Sequence, residues 1–293
     1  MSSIEWPEFI VATGEKLLRF SEGTFHIIEE GRGVYYGISW SPSYMYCHRR
    51  NGPRRLGGTG EIVRYSPSYE FVDIIPGYFP DAHQVFYQGG KIYVTSTSRN
   101  AIGVVNEETG EVEFKNWTAF DHDVNHINSV WFDGDNFWVG MHNYAEKEDS
   151  IFDTSQVVCV TADFSSVLCS IKIGVGLHNV FVDGDTLYVC SSADGKLIAY
   201  DLPTGKIVKE LYVGEWLRGI SVTDDYFVLG ASATLPKDKR LEGDASVYLL
   251  DRNLEVLDSM IISGCGPVYD LRVTDRPDFA HNLIPFPCTE KIS

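Results

Sequence analysis

His83-Gln-Val-Phe-Tyr-Gln-Gly-Gly-Lys-Ile-Tyr-Val-Thr-Ser96 and His178-Asn-Val-Phe-Val-Asp-Gly-Asp-Thr-Leu-Tyr-Val-Cys-Ser191 follow one pattern. Each is a short alternating run, a tight Gly-Gly or Asp-Gly turn, and a second run rich in β-branched and aromatic residues. That is the signature of a β-hairpin. Asn128-Ser-Val-Trp-Phe-Asp-Gly-Asp-Asn-Phe-Trp-Val-Gly-Met141 and Arg218-Gly-Ile-Ser-Val-Thr-Asp-Asp-Tyr-Phe-Val-Leu-Gly-Ala231 repeat it. A second hairpin follows, most clearly in Leu197-Ile-Ala-Tyr-Asp-Leu-Pro-Thr-Gly-Lys-Ile-Val-Lys-Glu-Leu211 and Ile102-Gly-Val-Val-Asn-Glu-Glu-Thr-Gly-Glu-Val-Glu-Phe114. The unit is therefore four antiparallel strands over roughly 40–50 residues, a propeller blade.

Six segments open such units: Tyr36-Gly-Ile-Ser-Trp40, His83, Asn128, His178, Arg218 and Tyr269-Asp-Leu-Arg-Val273. The last has no hairpins after it. Phe9-Ile-Val-Ala-Thr13, Lys16-Leu-Leu-Arg-Phe20 and Phe25-His-Ile-Ile-Glu29 precede the first unit and supply the missing strands. The expected fold is all-β: a six-bladed propeller in which three N-terminal strands pair with one C-terminal strand. This closure removes the edges that a linear array exposes. No Pro/Gly/Ser linker divides residues 1–293, so one domain is expected.

This pattern resembles the six-bladed propeller superfamily of NHL-repeat proteins, SMP-30-like lactonases and strictosidine-synthase-like proteins. The seven-bladed virginiamycin B lyase has similar repeats. The resemblance spans nearly the whole chain but implies a fold, not an activity. SMP-30-like enzymes hold a divalent metal with a Glu, Asn and Asp set around the channel. The matching positions here are Tyr36, His83, Asn128, His178, Arg218 and Tyr269. They lack the carboxylate, so that activity is not carried over.

Composition narrows the partners. The net charge is −17, which repels nucleic-acid backbones and anionic membranes. No apolar run reaches the ~18 residues of a membrane span. Residues Met1 to Glu8 have neither a basic nor an apolar leader region, and none of the six cysteines forms a CxxC pair. The expectation is a cytoplasmic protein with reduced thiols, in which Cys47, Cys159, Cys169 and Cys190 act as small buried hydrophobes. Nucleotide fingerprints, nucleophile elbows and HExxH are absent, so no nucleotide cofactor is expected.

In a propeller the starts of the inner strands, the connections between blades and the loops after the second strands share one end. His83 and His178 begin inner strands, His122 and His126 lie in a connection between blades, and His48 and His142 end second strands. Long loops grow from the same end at Cys47–Gly58, Met141–Phe152 and Ala233–Gly243. Grown loops at one end of a scaffold mark a binding face. His83, His126 and His178 are the candidate ligands for a divalent metal such as Zn, Fe or Mn, with His48 and His142 as further donors. Arg49, Arg50, Arg54, Arg55, Arg99 and Arg218 concentrate positive charge there, suited to a carboxylate or phosphate. Tyr36 and Tyr269 are candidate proton carriers, while Asn128, Asn179 and Asp270 are candidate substrate contacts. The expected function is a metal-dependent lyase or hydrolase acting on a small anionic molecule. The alternative is a non-catalytic propeller that binds a protein or peptide on the same face.

Overall fold

The computed structural model describes residues 4–51, 60–75, 77, 79, 81–118, 120–143, 154–236 and 238–287. These form six four-stranded antiparallel sheets arranged as propeller blades. The inner strands are Val34–Trp40, Val85–Gln88, Ile127–Phe132, Leu177–Asp183, Trp216–Val222 and Val268–Val273. In the last blade, Val268–Val273 pairs with Phe9–Thr13, followed outward by Lys16–Ser21 and Thr24–Glu30. Phe9 opposes Val273 and Val11 opposes Leu271, so both ends of the chain are stitched into one sheet.

Burial follows position in the blade. Phe9–Thr13 is buried at all five residues, because neighbouring blades cover both of its faces. The outermost strand Lys206–Tyr212 has no buried residue, being exposed at five positions and half-buried at two. Cys47, Cys159 and Cys190 are buried as expected, whereas Cys169 is exposed because it lies on the outer strand Val167–Val175. Cys265 is also buried, and Cys288 lies outside the described residues. No helix among the described residues is long and apolar enough to cross a membrane.

Polar side chains lock adjacent blades together at the second residue of several inner segments. Gln84 Oε1 accepts the Val130 amide at 2.7 Å, Asn179 Oδ1 accepts that of Gly219 at 2.8 Å, and Asp270 Oδ2 accepts that of Ile38 at 2.8 Å. Asn128 Nδ2 donates to Leu177 O at 2.6 Å. Gly219 adopts φ +82°, and a Cβ there would lie 2.7 Å from the Leu271 amide nitrogen. Only glycine allows the backbones to approach so closely.

The C-terminal segment after Thr274 crosses the end of the channel that carries the tight turns. Phe279 N donates to Val222 O, Trp131 Nε1 to Phe279 O, and Asn282 Nδ2 to Trp40 O. Three inner strands are thereby bridged. Asp278 lies fully buried beneath, accepting from Val222 N at 2.9 Å and Ser221 Oγ at 2.6 Å.

Candidate functional site

At the opposite end, an almost continuous ring of aromatic and imidazole side chains surrounds the mouth. Tyr36 lies 5.7 Å from His83 between ring centroids, and His83 lies 5.1 Å from His126. His126 stacks on His142 at 4.4 Å, His142 meets His178 at 4.6 Å, and His178 meets Trp216 at 6.0 Å. Tyr269 returns to Tyr36 at 4.3 Å. Two guanidiniums cap the phenols: Arg50 over Tyr36 and Arg218 over Tyr269, each 5.1 Å from the ring centre.

The shortest polar contact within the imidazole group is between His142 Nε2 and His178 Nε2, at 3.3 Å. His178 Nδ1 faces two acceptors, Gly176 O at 3.0 Å and Ser192 Oγ at 2.8 Å. Ser192 spends its own hydrogen on Leu217 O, so Nδ1 of His178 must carry the ring proton. Burial, then Arg218 and the neighbouring imidazoles, holds this ring well below its ordinary pKa. A neutral ring with Nδ1 protonated presents a lone pair at Nε2 toward His142. A backbone carbonyl fixing the far nitrogen is how metal-binding imidazoles are oriented. Two Zn–N bonds of about 2.0–2.1 Å at a tetrahedral angle span about 3.3 Å, so the pair fits two positions of such a site.

Nevertheless, among the described residues no group of three or more His, Cys, Asp or Glu side chains is arranged to hold a metal ion. Within the expected trio, His83 lies 5.1 Å from His126 and 6.0 Å from His178 between ring centroids. The closer partner of His178 is His142, which the sequence offered only as a further donor. The physical reason is position: His142 follows the second strand Asn136–Met141 and faces the next blade, while His126 turns back in a left-handed conformation (φ +54°) and pairs with Asp123 at 3.1 Å.

Arg50 lies 3.6 Å from Asp81 Oδ1, which is 4.0 Å from His83 Nε2. Asp81, Asp123 and Trp216 were not singled out from the sequence. The only signal for Trp216 was its place two residues before Arg218 in the same strand.

Other expected site residues have structural tasks. Arg49 is buried, bonding Glu29 at 2.8 Å and Glu61 at 2.6 Å. Arg99 is exposed and lies over Phe114 of an outer strand, directed away from the mouth. Asn128, Asn179 and Asp270 are taken by the inter-blade bonds described above, and Asp270 also pairs with Arg272 at 3.1 Å. Arg54 and Arg55 lie outside the described residues. His48 bonds Phe79 O at 2.9 Å and is lowered to about 4 by burial. Tyr36 was expected to move a proton through a lowered pKa. Burial, then Tyr269, instead pushes it upward, against the pull of Arg50 and Arg218, so its hydroxyl is suited to donating a hydrogen bond rather than to acting as a base.

No family model matches the chain, and no curated protein matches it. Among solved structures, a chain of a nidogen/laminin complex aligns over 91% of this chain and 98% of its own, with a TM-score of 0.68 and 12% identity. A protein of unknown function from Bacteroides caccae aligns over the same shares, with a TM-score of 0.63 and 13% identity. What these likenesses share with the chain is the fold. At such identities they carry no activity across.

Proposed function

We propose that the mouth is the active site of a lyase or hydrolase acting on a small anionic molecule, with the imidazole group forming a divalent-metal site that is completed on binding. The single observation that carries this reading is the convergence of side chains from all six blades on one mouth. It gathers guanidiniums, phenols and imidazoles, while the C-terminal segment crosses the other end of the channel. Arg218 and Arg50 would hold the anionic group. His142 and His178 would supply two metal positions, and His83 or His126 would turn to give a third. A bound Zn or Mn ion would polarise the ligand or lower the pKa of a water. Tyr36, kept protonated, would donate to developing negative charge.

The reading is distinct from the SMP-30-like pattern, since the buried channel carboxylates Asp270 and Asp278 accept backbone amides. It fits a cytoplasmic enzyme with reduced thiols. The test is calorimetric titration of inorganic phosphate into metal-stripped protein, with and without Zn²⁺ or Mn²⁺. Phosphate binding that strengthens with metal, and is lost in His178→Ala, supports it. A mouth that takes neither phosphate nor metal but captures an apolar peptide favours the non-catalytic alternative.

A further inference from the structure

Beside the ring lies a pocket whose walls include Trp216, Arg218, Thr234, Arg240 and Tyr269. Arg240 comes from the long loop of the fifth unit, at the start of the short 3₁₀ turn Arg240–Glu242. Its guanidinium lies 5.7 Å from the Trp216 ring centre, and its Nε donates to Leu235 O at 3.3 Å. Arg218 lies over Tyr269, so each guanidinium is matched with one aromatic wall. None of the described residues lining the pocket is Asp or Glu. In a chain of net charge −17, two guanidiniums on the walls of one pocket concentrate positive charge there.

The geometry points to a dianion subsite between Arg218 and Arg240, taking a phosphate monoester or dicarboxylate whose flat body packs against Trp216 or Tyr269. This rests on the reading of the mouth as an anion site and names the ligand class. Two guanidiniums, each held over a ring, match two charges or a doubly charged head group better than a single carboxylate. Trp216 also lies 6.0 Å from His178 between ring centroids, so the pocket adjoins the imidazole group.

The experiment is calorimetric titration of the full chain at pH 7.5 with phenyl phosphate, inorganic phosphate and benzoate. Phenyl phosphate should bind more tightly than either. Arg240→Ala should weaken phenyl phosphate about 10-fold or more, as loss of a charge-assisted contact does, and benzoate by less than about 3-fold. Arg240→Lys should recover only part of the loss. Trp216→Leu should erase the preference for phenyl phosphate over inorganic phosphate. Arg240 lies on a surface loop, so loss of the fold does not confuse the result. If Arg240→Ala binds phenyl phosphate like wild type while Arg218→Ala does not, the dianion subsite is wrong and the anion-binding mouth stands. If wild type binds none of the three at millimolar concentration, both fall.

Discussion

His142 Nε2 lies 3.3 Å from His178 Nε2, and the Nδ1 contacts of His178 leave its lone pair facing across that gap. Either a proton or a cation belongs between two such nitrogens. Zn²⁺ added to metal-free protein should bind with one equivalent at this pair. His178→Ala or His142→Ala should lower its affinity by 10-fold or more, whereas His122→Ala should not, because His122 is exposed and pairs with Asp121. Equal Zn²⁺ affinity in wild type and His178→Ala removes the metal from the proposal.

Buried histidines set the acid side of stability. His48 is lowered to about 4 by burial, and His178 and His281 are held well below the ordinary imidazole value, burial again being the first cause. Each takes a proton near pH 6.5 when the chain unfolds. Their contribution is therefore present above ~pH 6.5 and lost as pH falls toward 4. Asp278 has the opposite sign: burial raises it to about 6, so its contribution is present below ~pH 4 and lost as pH rises through 6. Denaturant unfolding should become easier from pH 7.5 down to 4. His48→Gln, which keeps a donor for Phe79 O, should remove about 3 kcal/mol of that loss. An unchanged pH profile in the variant contradicts the assignment.

Arg49 separates fold from function. Its guanidinium joins Glu29 and Glu61, and Tyr65 also donates to Glu29. Arg49→Ala leaves the buried Glu29 carboxylate with only the exposed Arg32, 3.4 Å away, and should cost up to about 3–5 kcal/mol in urea unfolding. Anion affinity of the folded variant should stay within about 2-fold of wild type, because Arg49 does not reach the mouth. A large loss of affinity without loss of stability would return Arg49 to the site.

Asp270 makes a parallel case. It receives the Ile38 and Leu271 amides and pairs with Arg272, which is itself fully buried. Asp270→Ala should destabilise by about 3–5 kcal/mol, since it strands a buried guanidinium. A melting temperature equal to wild type would show that the inter-blade bond is dispensable.

The blades were legible because hairpin turns and alternating runs are local patterns, and the chain repeats them from Val85 to Asp251. Ring closure was legible because three strands were left over before Tyr36. The mouth was legible only as a face. Residues that begin inner strands share an end of the channel, but whether a side chain enters the mouth or crosses to the next blade depends on single-residue bulges. Those bulges put Asn128 and Asn179 into inter-blade bonds and left His178 in the ring. Arg49 and Arg50 are adjacent, so strand alternation sends one into the Glu29–Glu61 pair and the other over Tyr36. The segment after Thr274 carried no pattern at all, because its bonds run to strands distant in sequence, from Asp278 to Val222 at the nearer end and from Asn282 to Trp40 at the farther.

The central claim, that the mouth is an anion site, is tested most directly by the affinity of inorganic phosphate for wild type, Arg218→Lys and Arg218→Ala, measured by calorimetry at one fixed salt concentration. Arg218 is nearly buried, lies over Tyr269 and opens onto the ring of imidazoles. Loss of a bidentate, charge-assisted contact is worth roughly 1.5–3 kcal/mol, so Arg218→Ala should bind about 10- to 150-fold more weakly. Arg218→Lys should fall between, since it keeps the charge and loses the planar fork. Equal phosphate affinity in all three proteins would contradict the account and leave Arg218 as a lining residue of the channel.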